Sequence, residues 1–153
     1  TTEIYTLSLH DALPIFRHAG KLVVLDYNHA DHGWEPDPPR EFTLFYDAFL
    51  LWRSRNQWDN RIADRLPALF RSAGLAEISS RVQDEVAERG DPDFSERAGI
   101  WAEVIENVGE QVSAAGFCTN RQIQQAHEAY RHWAGATLVR PTLAMKAVFG
   151  VSP

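Results

Sequence analysis

Gly20-Lys21-Leu22-Val23-Val24-Leu25-Asp26-Tyr27-Asn28-His29 is the stretch on which the fold turns. Lys21 to Leu25 is a short continuous run closed by Leu22, Val23, Val24 and Leu25. Such a run, opened by a glycine, predicts a strand buried on both faces, as strands of a parallel sheet are. Asp26, Tyr27, Asn28 and His29 follow at its carboxyl end. Ligands of open α/β sheets bind just outside that end of a strand, so these four side chains are placed where a substrate would sit.

Downstream the pattern alternates between helix and strand. Residues Ala30 to Arg40, with Gly33, Pro36, Pro38 and Pro39, read as an irregular loop. Phe42, Phe45, Tyr46, Phe49, Leu50 and Arg53 recur at helical spacing, which predicts an amphipathic helix over Glu41 to Arg55. Asp59 is suited to N-cap a second helix carrying Ile62, Leu66, Leu69, Phe70 and Ala73, with Gly74 ending it. Pro67 inside that pattern costs about 3 kcal/mol in an unbroken helix, so a kink or restart is expected there. From Ala76 the period becomes two: Ile78, Val82 and Val86 against Ser79, Arg81 and Glu85, one strand with a polar face, broken by Gly90-Asp91-Pro92. Ala98, Trp101, Ile105, Val108 and Val112 predict a long third helix closed near Gly116. Thr119 with Gln122 forms a capping box for a fourth, burying Ile123, Ala126, Tyr130 and Trp133. Thr142 to Val148 has strand composition and ends at Gly150. The order is an α/β layout with a crossover helix between the first two strands and an antiparallel edge strand to close the sheet.

Upstream, Thr1 to Ile15 read TTEIYTLSLHDALPI, the translation of one frame of a widely used sequencing-library adapter, with all fifteen residues in agreement. The expected organisation is therefore an adapter-derived, non-native segment over 1–15, a hybrid codon at Phe16, and a partial domain over 16–153. The formal charge is −6, and Glu3 and Asp11 of the adapter segment account for part of it. With no Lys/Arg block, nucleic acid is not an expected partner. Apolar content of 44% with five Trp points to a chain with a core. Cys118 is the only cysteine, which excludes an intrachain disulfide and makes a reducing, cytoplasmic compartment the expectation. No apolar run is long enough to span a bilayer.

Three clusters bear on chemistry. His29-Ala30-Asp31-His32-Gly33 matches half of the HxHxDH motif of metallo-β-lactamase-like hydrolases. Tyr27 stands at the first histidine position, and only His127 and His132 remain downstream, on a helix, so a dinuclear zinc site is short of ligands and no metal is expected. His29 beside Tyr27 and Asn28 is a candidate general base near neutral pH, with a structural role as the competing account. Asn28 equally suits satisfying loop backbone groups. Trp34, Phe45, Phe49, Trp52, Trp58 and Trp101 are dense enough to line an apolar pocket or to supply the core that two inserted helices need.

Arg17-His18-Ala19-Gly20-Lys21-Leu22-Val23-Val24-Leu25-Asp26 resembles the R-x-G-G-x-L-x-x-x-D stretch that leads into strand five of class I S-adenosylmethionine-dependent methyltransferases. Leu66-Pro67-Ala68-Leu69-Phe70-Arg71-Ser72-Ala73-Gly74-Leu75 is similar to their L-x-x-x-F-x-x-A-G-F/L helix before strand six. The aromatic stretch Phe42 to Arg55 looks like the substrate-covering insertion of the small-molecule members. The likeness covers Arg17 to about Ser80 well and the remainder loosely, and Ala19 stands where the family usually has glycine. It implies the C-terminal half of a Rossmann-like seven-stranded sheet, strands five to seven with the last antiparallel. The implied parent is an enzyme that transfers a methyl group from S-adenosylmethionine to a small-molecule acceptor by in-line displacement.

In the family the cofactor is held by a glycine-rich turn after strand one and an acidic residue ending strand two, so no cofactor-binding residue is expected in this chain. The resemblance implies that Tyr27, Asn28 and His29 border the substrate, with the aromatic insertion as a lid; Phe45, Phe49 and Trp52 of that insertion, with Trp34 and Trp101 of the aromatic set, are the further expected substrate-side residues. His29 is the expected catalytic residue. A piece of this kind would be inactive by itself and would self-associate through the unpaired apolar edge of its first strand. The competing readings are a non-catalytic α/β interaction module with an aromatic helical surface and, behind it, the metal-dependent hydrolase.

Overall fold

The computed structural model describes residues 19–153, so the adapter-like segment, Phe16 and the Arg17-His18 start of the first family-like stretch lie outside the described residues. The architecture is mixed α/β, with two small antiparallel sheets and four α-helices. The strands are β1 (Lys21–Tyr27), β2 (Gly33–Glu35), β3 (Ala76–Val82), β4 (Glu85–Val86), β5 (Arg140–Leu143) and β6 (Met145–Val151). The helices are α1 (Arg40–Arg55), α2 (Ile62–Ser72), α3 (Phe94–Ala114) and α4 (Asn120–Ala136), and a 3-10 turn covers His29–Asp31. The described residues divide into two compact units: 19–28, Arg61–Gln83 and Met145–Pro153 form one, and His29–Asn60 with Asp84–Ala144 the other.

The first unit is a three-stranded sheet with one helix. Its order is β1-β6-β3, and β6 runs antiparallel to both neighbours, so β1 and β3 are parallel to each other. Lys21 pairs with Val151 and Tyr27 with Met145 along one edge of β6, while Ser79 pairs with Phe149 and Val82 with Lys146 along the other. A register shift between Ala76 and Ser79 coincides with Glu77 at φ 50°, a left-handed residue that bends β3 as a bulge does. Helix α2 covers one face, where Leu66, Phe70, Leu75 and Val148 are buried and Leu22, Val24, Ile62 and Ile78 pack against them. Gly150 makes that contact close: a Cβ there would stand 2.8 Å from Phe70 Cδ2.

The sequence expectations for this unit need four corrections. The apolar run of β1 is not buried on both faces: its residues alternate, and Val23 and Leu25 remain 54% and 50% exposed opposite α2. The antiparallel strand is the centre of its sheet and not an edge. Helix α2 continues through Pro67, so the chain does not restart there. Its N-cap is Arg61 and not Asp59, with no side-chain cap of its own. Buried Asn28, at the end of β1, supplies the acceptor instead: the Asp64 N–H donates to Asn28 Oδ1 at 3.3 Å.

The second unit packs α1, α3 and α4 around Phe42, Phe45, Phe49, Trp101, Ile105 and Tyr130. At Gly109 a Cβ would stand 2.8 Å from Ile123 Cγ2, so the absence of a side chain lets α4 approach α3. The expected capping box forms: the Gln122 N–H donates to Thr119 Oγ1 and the Thr119 N–H donates to Gln122 Oε1. The last turn of α4 holds no basic residue, and Arg89 supplies that charge from outside, donating to the carbonyls of Ala134, Gly135 and Leu138.

A second sheet, ordered β2-β5-β4 with β5 antiparallel to both, belongs to this unit. It corrects three readings. Residues Ala30 to Arg40 are not wholly irregular, since Gly33–Glu35 pairs with β5. The period-two segment from Ala76 to Val86 is two strands, β3 and β4, in different sheets. Thr142 to Val148 likewise divides, at Ala144, into β5 and β6. The described residues thus form two three-stranded sheets and no seven-stranded one.

Candidate functional site

The residues singled out in the sequence fall in both units. Tyr27 and Asn28 close the sheet unit; His29, Trp34, Phe45, Phe49, Trp52 and Trp101 belong to the helical unit.

In the sheet unit, β1 delivers Asp26, Tyr27 and Asn28 to its carboxyl end. The Tyr27 N–H turns onto Asp26 Oδ1 at 2.7 Å. Buried Asn28 serves the start of α2 as described, and Lys146 of β6 holds the Asp64 carboxylate of the same helix turn. Lys146 first, and Asn28 second, keep the Asp64 carboxyl below its ordinary range. Asn28 thus performs the backbone-satisfying role that its residue type suggested.

In the helical unit the six remaining residues belong to one network of rings. His29 stands edge-on to Phe49 at 5.8 Å between centroids, and Phe49 to Trp101 at 5.6 Å. Trp34 meets Trp101 at 6.0 Å, Phe45 stacks with Phe49 at 6.4 Å, and Trp52 lies 6.1 Å from Phe49. Helix α1 makes this possible because its aromatic residues recur every three or four positions and share one face. Trp58, just past that helix, stands edge-on to Trp52 at 5.2 Å and is half exposed.

Three residues of the network were not among the substrate-side residues expected from the sequence. His32 meets His29 at 5.1 Å and Trp101 at 5.8 Å. Tyr46 reaches Trp101 at 4.9 Å, and its hydroxyl donates to the His29 backbone carbonyl. Phe42 packs at 4.4 Å on Tyr130. The helical stripe of α1 already contained Phe42 and Tyr46, so the signal existed as a core pattern.

The electrostatics of the histidine pair follow from burial. Desolvation, then the Arg53 charge, then His32 lower the His29 pKa from 6.5 to about 3. His32 falls to about 4: desolvation leads, and Asp31 opposes it without reversing it. The Ala144 N–H donates to His32 Nδ1 at 2.9 Å, which assigns the ring proton to Nε2. Burial also pushes the Tyr46 hydroxyl pKa upward. At neutral pH the network is uncharged. A conjugate acid with a pKa of about 3 makes His29 a weak proton acceptor at pH 7.

A cleft of about 350 Å³ opens on the network, lined by Trp34, Asp37, Pro38, Phe42, Thr43 and Tyr46. Its walls are aromatic and its rim carries one carboxylate, a setting for a small, largely apolar molecule. Trp101 Nε1 is buried and donates to no acceptor among the described residues. No three His, Cys, Asp or Glu side chains converge as a metal site among the described residues, and no described helix is long and apolar enough to cross a membrane.

The family-like stretches map onto defined elements. The described part of Arg17–Asp26 leads into β1, and Leu66–Leu75 is the second half of α2 with the Gly74 turn into β3. No protein-family model matches the chain, and no curated protein matches it either.

Proposed function

We propose that the chain is the C-terminal part of a class I S-adenosylmethionine-dependent methyltransferase acting on a small molecule. The observation that carries this reading is the sheet unit: parallel strands β1 and β3 joined through α2, with the last strand antiparallel to both. The two family-like stretches occupy the first strand and the crossover helix of that unit. The helical unit enters as two insertions, residues 29–60 after β1 and 84–144 after β3, in keeping with an inserted substrate-binding part.

S-adenosylmethionine does not fit the residues described here. The family's glycine-rich turn and acidic strand end have no counterpart in them: Gly74 and Gly116 follow helix ends, and Gly90 lies in a turn with Asp91 and Asp93. No reaction step is assigned through the cofactor. The contribution of this part is acceptor binding, with Trp34, Phe42 and Tyr46 presenting the aromatic cleft and Phe45, Phe49, Trp52 and Trp101 packed behind it. Methyl transfer by in-line displacement depends on positioning and exclusion of water, so His29 acts by packing rather than as the base.

Calorimetric titration of the chain with S-adenosylmethionine tests the reading. The chain as it stands should give no saturable heat, whereas a protein with the upstream half of the domain restored should bind and release S-adenosylhomocysteine with acceptor. Saturable binding by the chain alone, or none by the restored protein, contradicts it. The interaction-module reading keeps one support, the self-contained aromatic core of the helical unit, and requires the restored protein to lack methyl transfer.

A further inference from the structure

The rings that line the aromatic cleft are set at an angle that restricts the shape of a ligand. Trp34 of β2 stands nearly perpendicular to Phe42 and Tyr46 of α1, at 79° and 83°, with centroids 5.3 and 5.0 Å away. Phe42 and Tyr46 are tilted by only 33° to each other. The lining is therefore a corner and not a slot. A slot of parallel rings stacks a flat ring between its faces, whereas a corner suits a compact, rounded group. Phe42 and Tyr46 are buried at its base, and the partly buried Trp34 is its wall. The volume of about 350 Å³ belongs with small-molecule sites, which start at about 300 Å³.

The polar groups of the lining decide between an anion and a cation. Both hydroxyls are committed to the chain: Thr43 Oγ1 donates to the Pro39 carbonyl at 3.3 Å, and the Tyr46 hydroxyl to the His29 carbonyl. Trp34 Nε1 is buried and offers no proton to the cleft. Among the described residues no Lys, Arg or His lines it. Asp37 stands exposed at the rim with no hydrogen-bond or ion-pair partner among the described residues, whereas Glu35 is held by Arg140. Arg40 and Glu41, in the first turn of α1, do not line the cleft and cancel in sign. The amino end of that helix carries about half a positive charge, less than the full charge of Asp37. An anion would meet a carboxylate and no side-chain donor. A cation meets that carboxylate and the negative faces of the rings.

We propose that this cleft binds a compact alkylammonium group of the trimethylammonium kind, with the Trp34 ring as its cation–π partner and Asp37 as its counter-charge. Such a group turns methyls toward the rings, has no N–H to satisfy and spreads its charge over its surface, so rings can hold it without a set of hydrogen-bonding partners. As acceptor recognition the inference rests on the methyltransferase reading and deepens it, because it makes the acceptor a molecule with an alkylammonium head. As ligand binding it stands on residues of the helical unit alone.

Calorimetric titration of the chain with choline is the test, beside 3,3-dimethyl-1-butanol, the neutral compound in which carbon replaces the nitrogen. Choline is expected to bind one-to-one and about ten-fold more tightly than the alcohol, the combined worth of a cation–π contact and an exposed ion pair. Asp37→Asn should weaken choline by about two- to five-fold and leave the alcohol unchanged. Trp34→Leu should abolish the preference. Because Trp34 also packs on the core, Trp34→Phe, which keeps a ring, is its companion and should retain a reduced preference. No saturable choline binding, equal affinity for the two probes, or an Asp37→Asn protein with its preference intact overturns the proposal. If the preference stands while the restored protein fails to bind S-adenosylmethionine, the methyltransferase reading alone falls. If methyl transfer stands and the preference is absent, this inference alone falls.

Discussion

At the scale of single residues, burial decides the roles. His29 and His32 fold as neutral rings with pKa values depressed to about 3 and about 4, against 6.5 when unfolded. Their contribution to stability is complete above pH 6.5, because neither state is then protonated. It is lost as pH falls toward 4, where the unfolded chain takes up protons that the folded one refuses. Thermal unfolding measured between pH 7.5 and 4 should therefore show a falling midpoint, and His29→Phe with His32→Phe should flatten that slope. Asn28→Ala removes the acceptor for the first turn of α2 and should cost about 1–2 kcal/mol in denaturant unfolding; an unchanged midpoint would mean that the cap is idle. The sequence named Asn28 and His29 correctly as the residues at a strand end. It gave no sign that His29 is discharged, because the rings packed on it come from positions 32 and 49.

At the scale of elements, the helices were legible and the short strands were not. Helices α1, α3 and α4 carry their apolar residues at a 3.6 period, and α4 starts at a capping box written in Thr119 and Gln122. Strand β2 has three residues among prolines and exists because β5 pairs with it, a long-range cause that no local pattern records. Close packing at glycine is an element-scale property too. Gly150→Ala would press a Cβ onto Phe70 beneath α2 and should destabilise by about 1–3 kcal/mol, whereas Gly90, with open space around it, is held to glycine only by its φ of 114°. If Gly150→Ala unfolds at the wild-type denaturant concentration, the contact between α2 and β6 is looser than described.

At the scale of the molecule, the chain moves between units four times, after Asn28, Asn60, Gln83 and Ala144. Two of these crossings lie inside segments that read as single strands. Alternation of period two continues through Gln83-Asp84 and through Ala144 while the pairing partner changes, so the pattern stays the same and the fold does not. The same scale exposes a consequence of the sheet unit. Among the described residues β1 pairs only with β6, and Val23 and Leu25 are exposed on its face opposite α2. Open apolar edges recruit further strands. Sedimentation should show concentration-dependent association that Leu25→Lys reduces, and a monomer at every concentration would show that this edge is protected.

The proposed reading is that the sheet unit belongs to a methyltransferase domain and that Thr1 to Ile15 are adapter-encoded. Sequencing the source DNA across the codon for Phe16 tests it most directly. The account predicts that the genomic frame upstream encodes a strand, a glycine-rich turn and a second strand ending in an acidic residue. A genomic origin for Thr1 to Ile15, or an upstream frame without that pattern, would contradict it.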